Sequence, residues 1–144
     1  MNLKSRPDTI IFVMAYLSLL CLGGLFGALF VFVTIIPNIL ELGPFFYRGV
    51  YMMALLGILS LLLAVVAGFA LTRLWQGKAA GRAITITLTT VLAVISGLSV
   101  PVLLLVGLEG IALYVPLLTA VVLCVASSGV LRLLRQSSIL AYFN

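Results

Sequence analysis

Formal charge vanishes from this chain over four long stretches. Between Asp8 and Glu41 lie 32 uncharged residues, between Arg48 and Arg73 lie 24, between Arg82 and Glu109 lie 26, and between Glu109 and Arg132 lie 22. A helix rises 1.5 Å per residue, so about 20 apolar residues cross a hydrocarbon core of ~30 Å. Each stretch is long enough for one crossing and too short for two. Barrel strands would show alternating segments of about ten residues, and the sequence has none. The expectation is an all-α membrane protein of one domain, residues 1–144, with four transmembrane helices in an antiparallel up-down bundle. The spans are expected at about 8–36, 48–75, 83–106 and 111–134.

Composition agrees with the spacing. Hydrophobic residues make up 65% of the chain and charged residues 8%, and the mean hydropathy is +1.40. A soluble domain carries about 25% charged residues, and eleven charges could not cover the surface of a water-soluble fold of this size.

The net charge of +5 raises the question of nucleic acid, but no basic patch with interleaved aromatic residues exists, so no nucleic-acid partner is expected. The excess carries topology instead. Lys4 and Arg6 precede the first span, Arg73, Lys78 and Arg82 surround the middle loop, and Arg132 and Arg135 follow the last span. In a four-helix serpentine these seven share one face, and the other receives Arg48 with Glu41 and Glu109. The bias of Lys and Arg in short loops sets orientation, which puts both termini and the middle loop on the cytoplasmic side of the cell's inner (plasma) membrane. Arg73, Lys78, Arg82, Arg132 and Arg135 are expected to meet anionic lipid headgroups. The first apolar run far exceeds the 7–15 residues of a signal-peptide core and is expected to stay as an anchor.

Boundaries follow from local chemistry. Ser5, Pro7 and Asp8 form a helix start. Pro37-Asn38 is expected to stop the first helix, leaving Pro37 to Arg48 as the longest loop. Within that loop, Gly43-Pro44 makes a turn, and Phe45, Phe46, Tyr47 and Tyr51 form an interfacial aromatic belt. Trp75 is the anchor at the opposite interface, and Gln76 to Gly81 the compact middle loop. Pro101 and Pro116 should kink the third and fourth helices, Gly107 to Gly110 should turn between them, and Tyr142 and Phe143 should lie against headgroups.

Chemistry is scarce. The spans hold no acidic or basic residue in their interiors, and histidine is absent. That leaves no expected catalytic residue, metal ligand or cofactor site, and the chain is not expected to be an enzyme. The middle loop lacks the residue order of a phosphate-binding loop. Small multidrug transporters of similar size carry a carboxylate in their first helix, whereas this chain has Leu, Gly, Phe and Ala there. Cys21 and Cys124 lie at similar depth, so a pairing across the first and fourth spans is geometrically conceivable. The blander role, filling a helix interface, fits their lack of a neighbouring base.

What the spans carry is small-residue spacing: Gly23-x-x-x-Gly27 and Gly24-x-x-x-Ala28, then Ser60-x-x-x-Ala64-x-x-x-Gly68. The third span has Thr89-x-x-x-Ala93-x-x-x-Gly97, and the fourth has Ala120-x-x-x-Cys124-x-x-x-Ser128. In lipid, close backbone approach and interhelical hydrogen bonds hold helices together, so these are the expected packing faces. Thr85, Thr89, Ser96 and Ser99 share an arc of about 80° on the third helix. In size and topology the chain resembles the small four-helix membrane proteins of prokaryotes, a likeness that carries no functional residue with it. The functional expectation is a non-enzymatic accessory or structural subunit, packed against other membrane subunits or itself. The alternative is a small oligomeric transporter or channel using the hydroxyl arc.

The topology has a direct test. With Cys21→Ala and Cys124→Ala as background, Lys78→Cys should react with a membrane-impermeant maleimide only after the cytoplasmic face is opened; labelling of intact cells would invert the orientation.

Overall fold

The computed structural model describes residues 8–41, 47–105 and 111–136. Every regular element among them is helical: α1 (Asp8–Phe30), a π-helical turn (Val31–Ile35), α2 (Ile36–Glu41), α3 (Tyr47–Trp75), α4 (Ala79–Leu105) and α5 (Ile111–Leu134). Four helical stretches are long and apolar enough to cross a membrane: Thr9–Glu41, Gly49–Trp75, Ala79–Leu105 and Tyr114–Leu134. We refer to them as the first to fourth spans. The helix start at Ser5 and Pro7, the Gly43-Pro44 turn, Phe45 and Phe46, the Gly107 to Gly110 turn, and Tyr142 and Phe143 lie outside the described residues.

The outer surface of the helices is that of a protein solvated by hydrocarbon. Leu19, Phe26, Leu105 and Val125 are each more than two-thirds exposed, among many other large apolar side chains. An aqueous protein rarely tolerates continuous apolar surface on this scale.

The first helix does not stop at Pro37. It runs on to Glu41 through one π turn, in which the Ile36 amide bonds to the Val31 carbonyl five residues back. The wider turn re-registers the backbone just ahead of the proline. Pro37 then stands second in α2, so the donor it lacks falls where the backbone register has just changed. The third span likewise starts earlier than expected, at Ala79, so the middle connection shrinks to Gln76–Lys78. Its geometry explains the compression. Lys78 N–H donates to the Arg73 carbonyl (3.1 Å) and Gly77 N–H to the Leu74 carbonyl (2.9 Å), with Gly77 at φ 68°. This is a Schellman closure, and its left-handed residue is glycine because a Cβ would strain there.

Gly81, expected in the loop, is instead buried in the first turn of α4. A Cβ on it would lie 2.5 Å from the Leu74 nitrogen and 2.6 Å from the Arg73 carbonyl carbon. The second and third spans meet backbone to backbone at this point. Gly24 does the same for the first pair of spans, where a Cβ would lie 2.6 Å from the Ser60 carbonyl oxygen and 3.0 Å from Ala64 Cβ.

Buried positions follow a spacing of three and four rather than four alone. In α1 they are Ile10, Val13, Leu17, Leu20, Gly24 and Ala28, with Met14 beside Val13; in α5, Ala120, Ser127, Val130 and Leu134. Ile10, Val13, Leu17 and Leu20 join Ala67, Ala70 and Leu74 of α3 and Val130 and Leu134 of α5 in one cluster. Alternating three and four keeps side chains on one stripe of a 3.6-residue helix, the pattern of coiled-coil-like packing.

Two glycines offer a matched test of close approach. Gly24→Ala and Gly81→Ala should each destabilise the bundle by about 1–3 kcal/mol through overpacking. Gly23→Ala, with nothing within 4 Å of the new Cβ, should be neutral or stabilising by up to about 1 kcal/mol from helix propensity. Thermal unfolding in detergent micelles reads all three, and equal effects would remove the backbone contact as their cause.

Candidate functional site

Three groupings of residues hold what chemistry the protein has: the small-residue faces, the hydroxyls, and the cations at one end of the helices. The faces only partly match their expected membership. Gly24 and Gly27 meet Ser60 and Ala64, with a Cβ on Gly27 placed 3.5 Å from Ser60 Oγ, and Ala28 is buried. Gly23 makes no such contact: it points 100° away from its neighbour, with no atom within 4 Å of a Cβ built on it, and lines a cavity instead.

The same drift corrects the other three spans. A strict spacing of four advances 400°, or 40° beyond a full turn, so the third member lies 80° off the face that the first defines. Gly68 is accordingly half-buried while Ala67 is fully buried, Gly97 is exposed while Ser96 is buried, and Ser128 is exposed while Ser127 is buried. In each case the residue one position earlier, only 20° off the face, takes the more deeply buried position. Ala93 and Cys124 stay at the contact of the third and fourth spans, where Cys124 Sγ stands 3.8 Å from the Ala93 carbonyl oxygen. Cys21 instead faces Gly68 of the second span, with 3.5 Å between its sulfur and a Cβ built there. Each cysteine thus fills the interface of its own span pair, both are free thiols, and the pairing across the first and fourth spans is not formed.

The hydroxyl arc is turned inward, but its protons are spoken for. Thr85 Oγ1 donates to the Gly81 carbonyl (2.7 Å), Thr89 Oγ1 to the Thr85 carbonyl (2.7 Å), Ser96 Oγ to Leu92, and Ser99 Oγ to the Ser96 carbonyl (2.8 Å). Back-bonding of this kind satisfies a hydroxyl inside its own helix. Two departures stand out among the described residues: Thr9 Oγ1 is buried with no partner, and Tyr16 OH and Ser127 Oγ share a 2.7 Å hydrogen bond between the first and fourth spans. Just beyond it lies a cavity of about 560 Å³ among the first, second and fourth spans, lined in part by Tyr16, Gly23, Ser60, Thr119 and Ala126. Spacing by four alone could not single out Ser127; the alternation of three and four does.

The cations converge. Arg73 occupies the last turn of α3, its guanidinium 4.9 Å above the Phe69 ring. Lys78 is exposed in the turn, and Arg82 in the first turn of α4 donates from Nε to the Leu134 carbonyl (3.2 Å) at the end of α5. A cation on the last carbonyls of a helix also complements its dipole. That bond holds the start of the third span against the end of the fourth, where Arg132 and Arg135 are exposed. The core cluster joins Ile10, Leu74 and Leu134 at the same end. Among the described residues, no three His, Cys, Asp or Glu side chains converge to hold a metal.

No protein-family model matches this chain, and no curated protein or solved structure is significantly similar to it.

The Tyr16–Ser127 bond can be measured as a coupling. Tyr16→Phe, Ser127→Ala and the double variant should close a cycle with a favourable interaction of about 0.6 kcal/mol, the usual size for interhelical hydrogen bonds in lipid. A coupling of zero in a micellar unfolding assay would mean that the bond contributes nothing to joining the first and fourth spans.

Proposed function

We propose that this protein is a non-enzymatic accessory or structural subunit of the plasma membrane, packing as an up-down four-helix bundle against larger membrane subunits. The up-down arrangement is supported by contacts whose residue numbers run in opposite senses along the first two spans: Cys21 with Gly68, Gly24 with Ala64, Phe32 with Gly57. The cytoplasmic placement of both termini rests on the cations gathered at one end, Arg73, Lys78, Arg82, Arg132 and Arg135.

One observation carries the subunit reading. Ser128 and Gly129 are exposed on the outer surface, and Gly129 has no atom within 4 Å of where a Cβ would stand. Glycine in a helix interior costs about 1 kcal/mol relative to alanine. Gly24 and Gly81 offset that cost through internal contact; Gly129 has no such contact within the chain. Small residues in lipid serve close helix approach, so these positions fit the approach of a neighbouring subunit's helix. The uncharged span interiors and back-bonded hydroxyls offer little to catalysis.

A small oligomeric transporter or channel is the second reading, favoured by the polar atoms of Tyr16, Ser60 and Thr119 around the cavity of about 560 Å³. Purification at native expression in mild detergent, followed by native mass spectrometry, separates the two. The subunit reading expects larger polypeptides in fixed ratio, released by Gly129→Leu without a change in stability beyond about 0.5 kcal/mol. A clean monomer would overturn it, and a homo-oligomer would favour transport.

A further inference from the structure

The groove between the first and second spans has a polar end and an apolar end, and the difference tells what it takes. It holds about 760 Å³ and is walled by Ile11, Met14, Ala15 and Ser18 of α1 and by Leu71, Thr72, Trp75 and Gln76 at the end of α3. The two hydroxyls in its walls need nothing from an occupant: Ser18 Oγ donates to the Met14 carbonyl (2.9 Å) and Thr72 Oγ1 to the Phe69 carbonyl (2.8 Å). Its walls therefore present hydrocarbon surface along most of their length. On the opposed register of the first two spans proposed above, Ser18 lies level with Leu71, and Met14 with Trp75 at the end of α3. The groove thus runs from an apolar end at Ser18 and Leu71 to a rim where Gln76 is exposed and Lys78 follows in the turn.

We propose that this groove holds one acyl chain of an anionic phospholipid, with the headgroup phosphate at the Gln76–Lys78 rim. Charge complementarity selects the headgroup. Arg73, Lys78, Arg82, Arg132 and Arg135 all belong to this end of the protein, and Arg73 and Arg82 are engaged with the Phe69 ring and the Leu134 carbonyl. Lys78 is exposed and two residues beyond Gln76, so it supplies the cation for the phosphate. A compact ammonium binds phosphate as a point charge. A zwitterionic lipid places its own cation beside its phosphate and gains less from Lys78. The proposal rests on the register of the first two spans but not on the subunit reading, since a monomer could bind lipid equally well.

Trp75 is the only tryptophan in the chain and part of the groove wall, which makes it a reporter. The protein is reconstituted into vesicles of phosphatidylcholine containing equal mole fractions of acyl-brominated phosphatidylglycerol or acyl-brominated phosphatidylcholine. Brominated phosphatidylglycerol should quench Trp75 by at least twofold more than the zwitterionic lipid. Lys78→Gln should abolish the excess by removing the cation, and Ala15→Phe should abolish it by filling the groove. Equal quenching of the unmodified protein by the two lipids overturns the proposal without recourse to any variant. So does an excess that survives either substitution. A raised salt concentration should shrink the excess, because the headgroup contact is exposed to solvent.

Discussion

Everything in this protein depends on the cost of leaving a polar group without a partner in hydrocarbon. A backbone amide or carbonyl that finds no hydrogen bond in lipid costs several kcal/mol, so a chain of this composition has helices as its natural solution. The same constraint reaches the side chains. Thr85, Thr89, Ser96 and Ser99 turn their protons back onto their own helix, and the middle connection closes its helix end with two backbone bonds in three residues. At Pro37 the proline removes a donor, and the π turn ahead of it lets the helix continue rather than expose a gap.

Once each helix is satisfied within itself, association has to come from contact rather than from expulsion of water. That makes the closest approaches the decisive ones. Gly24 against the Ser60 backbone and Gly81 against Leu74 and Arg73 admit no side chain, and they join the first span to the second and the second to the third. Leucine, valine and isoleucine fill the core only at one end, around Ile10, Leu17, Leu74 and Leu134. Elsewhere glycine, alanine, serine, threonine and cysteine form the closest contacts, with large side chains such as Phe32 fitted over glycine. The Tyr16–Ser127 bond adds a polar link where the first and fourth spans come together. It borders the cavity that separates these spans further along.

Much of this was legible from residue order. Four helical spans followed from the charge gaps, and the involvement of Gly24, Ser60, Ala64, Ala93 and Cys124 in helix contacts followed from small-residue spacing. Gly23 and Ser128 fall off the contact faces because a spacing of four does not run straight along the helix. A helix turns 3.6 residues, and the error of 40° per step grows until the neighbouring residue replaces the expected one. Gly57 went unremarked because nothing local distinguishes it; its role is to leave room for the Phe32 ring, 25 residues earlier in the chain.

The sequence by itself determined that the chain is helical, how many times it can cross a membrane, and that its charges gather at the span ends. These are one-dimensional properties: hydrocarbon thickness sets a length, and charge cannot lie within it. Tertiary structure alone decided which of two adjacent small residues faces a partner, and where Arg82 finds its carbonyl. It also decided that a groove with one polar rim forms between the first two spans. Those depend on the rotation and register of one helix against another. No single helix carries that information, because both are set by whichever side chains are small enough to let two backbones meet.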